Sequence, residues 1–241
     1  MPNLSGSFTG NFERSKKEVT LPSGRKVVIL ETTGKEEKIL SKMAEKKSKG
    51  VIEEYLASVC QSLDGKEKPT EKQFQDMLTG DRMMVLLQTR MLTHGNIVNY
   101  KLTCPSCNAK SEHEINIEEI ANTTVPYPNG DKREFSVKLE EGEVWFELPN
   151  GTTEDRIASA EARDINTKIT SLRLWEVLQN GEKLPVRVEH LKSKHLSAIR
   201  KAVKQQECVM DTAAILHCTS CKTDTTVDAI VNADFLFPNA M

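Results

Sequence analysis

Leu102-Thr-Cys-Pro-Ser-Cys107 and Leu216-His-Cys-Thr-Ser-Cys221 write one pattern twice, and the fold follows from asking why. Each C-x2-C lies between short runs that read as strands, within Tyr100 to Ile117 and Ile215 to Ile230. Strand, knuckle, strand is the layout of a zinc-ribbon half-site. Two intervening residues let both sulfurs turn to one ion, while the knuckle's amides donate to the thiolates and offset their charge. Cys104, Cys107, Cys218 and Cys221 are therefore expected to hold one structural Zn2+. Four thiolates close the shell and leave no position for water or substrate. A redox dithiol in each pair and an ancestral site that no longer binds are the other readings. Against the first, a redox CxxC opens a helix, whereas polar strand residues follow both pairs here.

A free-standing ribbon spaces its pairs by about 15–20 residues, yet Cys107 and Cys218 are 111 positions apart. Comparing the chain with itself accounts for the gap. One register shift aligns Val19-Thr-Leu-Pro-Ser-Gly24 with Val137-Lys-Leu-Glu-Glu-Gly142, Val27-Val28 with Trp145-Phe146, and Glu36-Glu37-Lys38-Ile39 with Glu154-Asp155-Arg156-Ile157. Slightly shorter shifts align Asp64-Gly-Lys-Glu-Lys-Pro69 with Asn180-Gly-Glu-Lys-Leu-Pro185, and then the two knuckles. The common order of these weak matches indicates a tandem repeat. The expected fold is α+β: a duplicated β-hairpin, helical and zinc-knuckle unit whose two knuckles share one four-cysteine site. Its divisions are a flexible N-terminal arm over 1–17, repeat one over 18–125 with its knuckle at 100–117, and repeat two over 126–241 with its knuckle at 215–230.

Each repeat begins with two short strands around a Gly turn, Glu18 to Leu30 and Glu134 to Leu148. A helix follows. In repeat one, Thr33 and Glu36 supply a cap and an acidic first turn, and Ile39, Leu40, Met43, Ile52, Tyr55, Leu56 and Val59 form an apolar stripe that Gly50 divides. In repeat two, Ala158, Ala162, Ile165, Ile169, Leu172, Trp175 and Leu178 step by three or four and predict one longer helix. Beyond the Asp-Gly and Asn-Gly turns, helices are expected over about Glu71 to Thr93, restarting at Gly80-Asp81, and Val188 to Gln206.

A chain of 241 residues with 38% hydrophobic content can bury an ordinary core, which makes the zinc a clip on a folded protein. With 33 basic and 35 acidic residues the net charge of -2 gives no global attraction for nucleic acid or an anionic membrane. No apolar run approaches the about 18 residues of a membrane span, and no signal core is seen near Met1. Cys60 and Cys208 lie on stretches read as helix and are expected as buried thiols. His94, His113, His190 and His195 have no ligand spacing and read as surface or turn residues, and His217 points away from the metal if it sits on a strand.

No P-loop, G-x-S-x-G, H-E-x-x-H or dinucleotide fingerprint occurs, so no catalytic residue, small-molecule substrate or enzyme is expected. Lys42 to Lys49 and Lys192 to Lys204 are basic stretches without aromatic stacking partners and read as solvated helix faces. Met1 to Arg14 is rich in Ser, Gly and Asn, a composition that orders on a partner. At the other end, Asp234-Phe-Leu-Phe-Pro238 fits docking on the chain's own core or on a neighbouring subunit.

The LPSG hairpin, the helical block, Cys-Pro-Ser-Cys, the second strand-and-helix block, the second C-x2-C and the terminal Asp-Phe-Leu-Phe-Pro, in that order, resemble the baseplate-hub protein family of T-even-type contractile-tailed bacteriophages. The resemblance covers about Val19 to Pro238. It implies a non-enzymatic structural or assembly protein of the virion's tail baseplate, assembled in the host cytoplasm. Other baseplate and hub proteins would be its partners, with the tape measure protein a further candidate. The competing reading is a cytoplasmic zinc-ribbon protein that binds nucleic acid or a transcription or translation assembly.

Overall fold

The computed structural model describes residues 13–44, 50–159, 172–229 and Phe235. It contains two four-stranded antiparallel meanders and two two-stranded hairpins among helices, an α+β architecture. The first sheet is β1 (Lys16–Thr20), β2 (Lys26–Leu30), β3 (Cys60–Leu63) and β4 (Lys66–Glu67), in that order. The helices α1 (Gly34–Ala44) and α2 (Val51–Val59) connect β2 to β3. After α3 (Glu71–Gln75) and α4 (Thr79–His94) come the hairpin β5 (Ile97–Thr103) and β6 (Lys110–Asn116), then α5 (Ile117–Thr123).

The second sheet is β7 (Glu134–Lys138), β8 (Glu143–Glu147), β9 (Leu174–Val177) and β10 (Lys183–Pro185), with α6 (Gly151–Ser159) following β8. A 3-10 turn at Val188–His190 leads into α7 (Ser193–Gln206), and β11 (Ala213–His217) and β12 (Asp224–Asp228) form the last hairpin.

Strand register explains which side chains are buried. In the first sheet Val19 pairs with Val27, and Ile29 with Cys60, so Val19, Val27 and Ile29 share the face packed on α4. In the second, Val137 pairs with Val144, and Phe146 with Leu174, and α7 packs on β7. Val27 therefore corresponds to Val144 and Ile29 to Phe146, one residue away from the equivalence that places Val27-Val28 on Trp145-Phe146. The cause is the turn. Leu21 to Arg25 closes the first hairpin with bonds from Leu21 N to Arg25 O and Gly24 N to Leu21 O, both 2.8 Å, whereas Leu139 N to Gly142 O, 2.7 Å, closes the second with one residue fewer. The shift persists downstream, where Gly34 and Gly151 both open helices.

Two apolar cores result. The larger holds Val27, Ile29, Tyr55, Leu56, Phe74 and Val85, and it takes Val98, Leu102 and Ile115 from the first hairpin together with Leu216 and Ala229 of the last. Phe235 is also in it, so this residue of the terminal motif docks on the chain's own core; the rest of the motif lies outside the described residues. Arg90 fixes it, donating Nε to Phe235 O at 2.7 Å, Nη1 to Gly95 O at 2.9 Å and Nη2 to Ile97 O at 3.1 Å. The smaller core joins Phe135, Val144, Phe146, Leu174, Ile199 and Val203 with Leu78 and Tyr127. Between the cores, buried Arg82 bonds Glu53 at 2.8 Å, Glu154 at 3.0 Å and the Phe74 carbonyl at 2.7 Å, which ties α2, α3, α4 and α6 together.

Several sequence expectations change. The long helix read through Leu178 ends earlier: Leu174–Val177 is a strand, and Trp175 pairs with Trp145. A short apolar run fits either period, and pairing with β8 decides it. Ala162, Ile165 and Ile169 lie outside the described residues, as does most of the arm. The break in Glu71–Thr93 occurs, but Asp81 caps nothing there; its buried carboxylate accepts Ser23 N at 2.9 Å and Ser23 Oγ at 2.5 Å, and burial raises its pKa. Cys60 begins β3 and Cys208 follows α7, so neither is helical; burial pushes the Cys60 thiol up. His195 is buried, its Nε2 2.7 Å from Glu141.

Candidate metal centre

The two hairpins carry the cysteines at their tips, and their ladders set the loop length. Thr103 pairs with Lys110 and His217 with Asp224 as the last rungs, leaving six residues from Cys104 to Ala109 and from Cys218 to Thr223. Both loops make the same two main-chain bonds. Cys104 N donates to Ala109 O and Asn108 N to Cys104 O, each 2.9 Å; Cys218 N donates to Thr223 O and Lys222 N to Cys218 O, each 3.0 Å. Closing so short a loop puts Asn108 and Lys222 at φ 58° and 63°, the left-handed region.

These loops face each other. Cys104 Sγ is 3.6 Å from Cys221 Sγ, and Cys107 Sγ is 3.7 Å from Cys218 Sγ. All four sulfurs lie within 4.8 Å of one another, the first of each pair buried and the second exposed. A metal bound to sulfur at about 2.3 Å in a tetrahedron separates its ligands by about 3.8 Å. The four thiols thus lie close enough together to hold one metal ion. Among the described residues, no other group of three or more His, Cys, Asp or Glu does so.

Neighbouring amides and a hydroxyl favour the thiolate form at two of the four cysteines. The Thr223 hydroxyl, 3.2 Å away, and the Thr223 amide bring the Cys221 thiol down to about 6. The amides of Cys221 and Ser220 lower Cys218. Cys107 is drawn down by the Ala109 amide, but its hydrogen bonding to the neighbouring thiols prevails and holds it up at about 12. Four thiolates repel, so without a cation some keep their protons; a divalent ion lets all four ionise. The amides of Ala109 and Thr223, each two residues beyond a second cysteine, occupy equivalent places. Sequence reading missed Thr223 and the left-handed residues, although their equal spacing from the cysteines was there to be read.

The histidines stand apart from the cluster. His217 is on β11 with Nδ1 2.5 Å from Asp224 Oδ1, both exposed. His94 and His190 are exposed, and His113 on β6 contacts Ser111 at 2.8 Å.

No helix among the described residues is long and apolar enough to cross a membrane. No curated protein and no solved structure matches the chain. A family model described as T4 bacteriophage base plate protein matches residues 14–237. That match runs through both sheets and both cysteine hairpins, and the chain belongs to this family of phage base plate proteins.

Proposed function

We propose that this base plate protein is a non-enzymatic bracket of the hub, in which one zinc ion bound by Cys104, Cys107, Cys218 and Cys221 fixes two tandem copies of one unit. The coarser role comes with the family: a structural protein of the virion tail, in contact with other tail proteins. The observation that carries the finer reading is that each knuckle supplies two sulfurs and the close pairs run between knuckles. A metal there ties 18–125 to 126–241.

The repeated strand order supports tandem copies, as do the matching knuckle loops and the helices opened by Gly34 and Gly151. The thiolate set favours zinc chemically, and a complete shell makes it structural. Nucleic-acid binding is the weaker reading, because Lys192 and Lys194 are engaged by Glu141 and Glu140.

Metal analysis of freshly purified protein tests the reading. One zinc per chain is expected, and Cys104→Ser and Cys218→Ser should both lose the metal and lower the melting temperature to similar extents. Less than about half an equivalent of zinc, or one silent and one severe substitution, would refute the shared ion.

A further inference from the structure

The second sheet is forked. β8 and β9 pair only at Trp145–Trp175 and Phe146–Leu174. Nearer the hairpin turn, Glu143 and Val144 keep their partners on β7, and Glu176 and Val177 keep theirs on β10, but the facing sides of β8 and β9 make no pairs. In the first sheet this seam is closed. Pairing there continues to Val27–Leu63, Asp64 N donates to Lys26 O at 2.8 Å, and the Asp64 carboxylate accepts Lys26 N at 3.0 Å and Arg25 Nε at 2.8 Å.

A cavity of about 450 Å³ occupies the fork, lined by Gly142, Val144, Trp145, Val177 and Leu191 among others. That size falls within the about 300–1,000 Å³ of ligand pockets. Unpaired main-chain edges accept an added strand. The charge of the rim selects among such strands. Glu143 and Glu176 line the cavity, exposed and without an ion pair among the described residues, while the cavity's Lys192 is already engaged by Glu141.

We propose that this fork is a docking site for an extended segment of another tail protein, one that carries lysine or arginine next to an apolar residue. The segment adds main-chain bonds to the open side of β8 or β9, seats its apolar side chain against Trp145 and Val177, and sets the neighbouring cation, on the opposite face of the sheet, against Glu176. The proposal takes from the base plate reading only the source of the partner; the fork does not depend on the metal.

The test probes the full chain with synthetic peptides tiled across the other tail proteins of the same phage. Peptides with basic and apolar residues together should bind and should slow hydrogen exchange at Glu143 and Val177, whose amides face the open seam. The double variant Glu143→Lys/Glu176→Lys should bind them roughly tenfold more weakly, with metal content and melting temperature unchanged. Finding no bound peptide, binders without basic residues, or protection confined elsewhere would overturn the proposal, as would self-association of the chain that this variant abolishes. A chain that binds such peptides but contains no zinc would defeat the bracket model and leave the fork standing.

Discussion

The two knuckles match each other closely, whereas the two sheets beneath them do not. The knuckles agree in loop length, in both main-chain bonds and in the left-handed residue after the second cysteine. The sheets agree in strand order but differ in turn length, in the size of the buried side chains and in whether the middle seam closes. Four sulfurs holding one ion would tolerate only small displacements, so a change in either loop would disturb both halves of such a site. A sheet core instead accommodates Ile29 in one place and Phe146 in the other as long as its volume is filled.

The helix-opening glycines give the largest expected contrast. An added Cβ at Gly34 meets nothing within 4 Å, whereas at Gly151 it would lie 2.5 Å from Arg82 Nη1 and 2.9 Å from the Gln75 carbonyl. Gly151→Ala should therefore disturb the Arg82 junction and cost about 1–3 kcal/mol in urea unfolding. Gly34→Ala should be neutral or slightly stabilising through the unfolded chain. Equal effects would mean that the close approach at Gly151 does not hold the halves together.

Much of this contrast could be read from the sequence, and the part that could not has a physical cause. The cysteine pairs, the strand-turn-strand starts and the helix break before α4 were legible because each depends on local residue chemistry. The register of the second hairpin was not. One residue lost between Leu139 and Gly142 exchanges the inward and outward faces, and the alternating Val144-Trp145-Phe146 is apolar on both. Trp175 reads as a helix residue until β8 is present to pair with it. The burial of His195 depends on Glu141, and that of Asp81 on Ser23, both partners distant in the chain.

Acid should separate the halves next. Glu36, buried at the start of α1, accepts Thr33 N at 2.9 Å, Thr33 Oγ1 at 2.6 Å and Ser58 Oγ at 2.6 Å, and it pairs with Arg14. Burial raises its pKa, but the Ser58 and Thr33 hydrogen bonds and Arg14 together outweigh it, so the net shift is downward. The corresponding cap on α6 uses Asn150, which accepts Thr153 N at 3.1 Å and does not titrate. Because the folded pKa of Glu36 lies below its ordinary 4.5, its stabilisation is complete above that value and is lost as pH falls through the folded pKa. Glu36→Gln should cost about 1 kcal/mol at neutral pH and flatten the acid limb of stability against pH. An unchanged limb would show that other carboxylates govern it.

The smallest expected effect tests whether the knuckles are as alike as their bonds suggest. Asn108 and Lys222 hold the same left-handed conformation, but the costs differ. Asparagine enters that region readily, whereas lysine carries more of the penalty imposed by a Cβ there. Glycine at either position removes the penalty, but the freer unfolded chain offsets part of the gain. Lys222→Gly should then stabilise the metal-loaded protein by about 0.5–1 kcal/mol, and Asn108→Gly by less, with thermal unfolding at fixed zinc concentration as the measurement. If Asn108→Gly gives the larger gain, backbone conformation is not what distinguishes the loops. The charge of Lys222 beside the thiolates would then be the difference to examine, since its removal also takes a cation from the site.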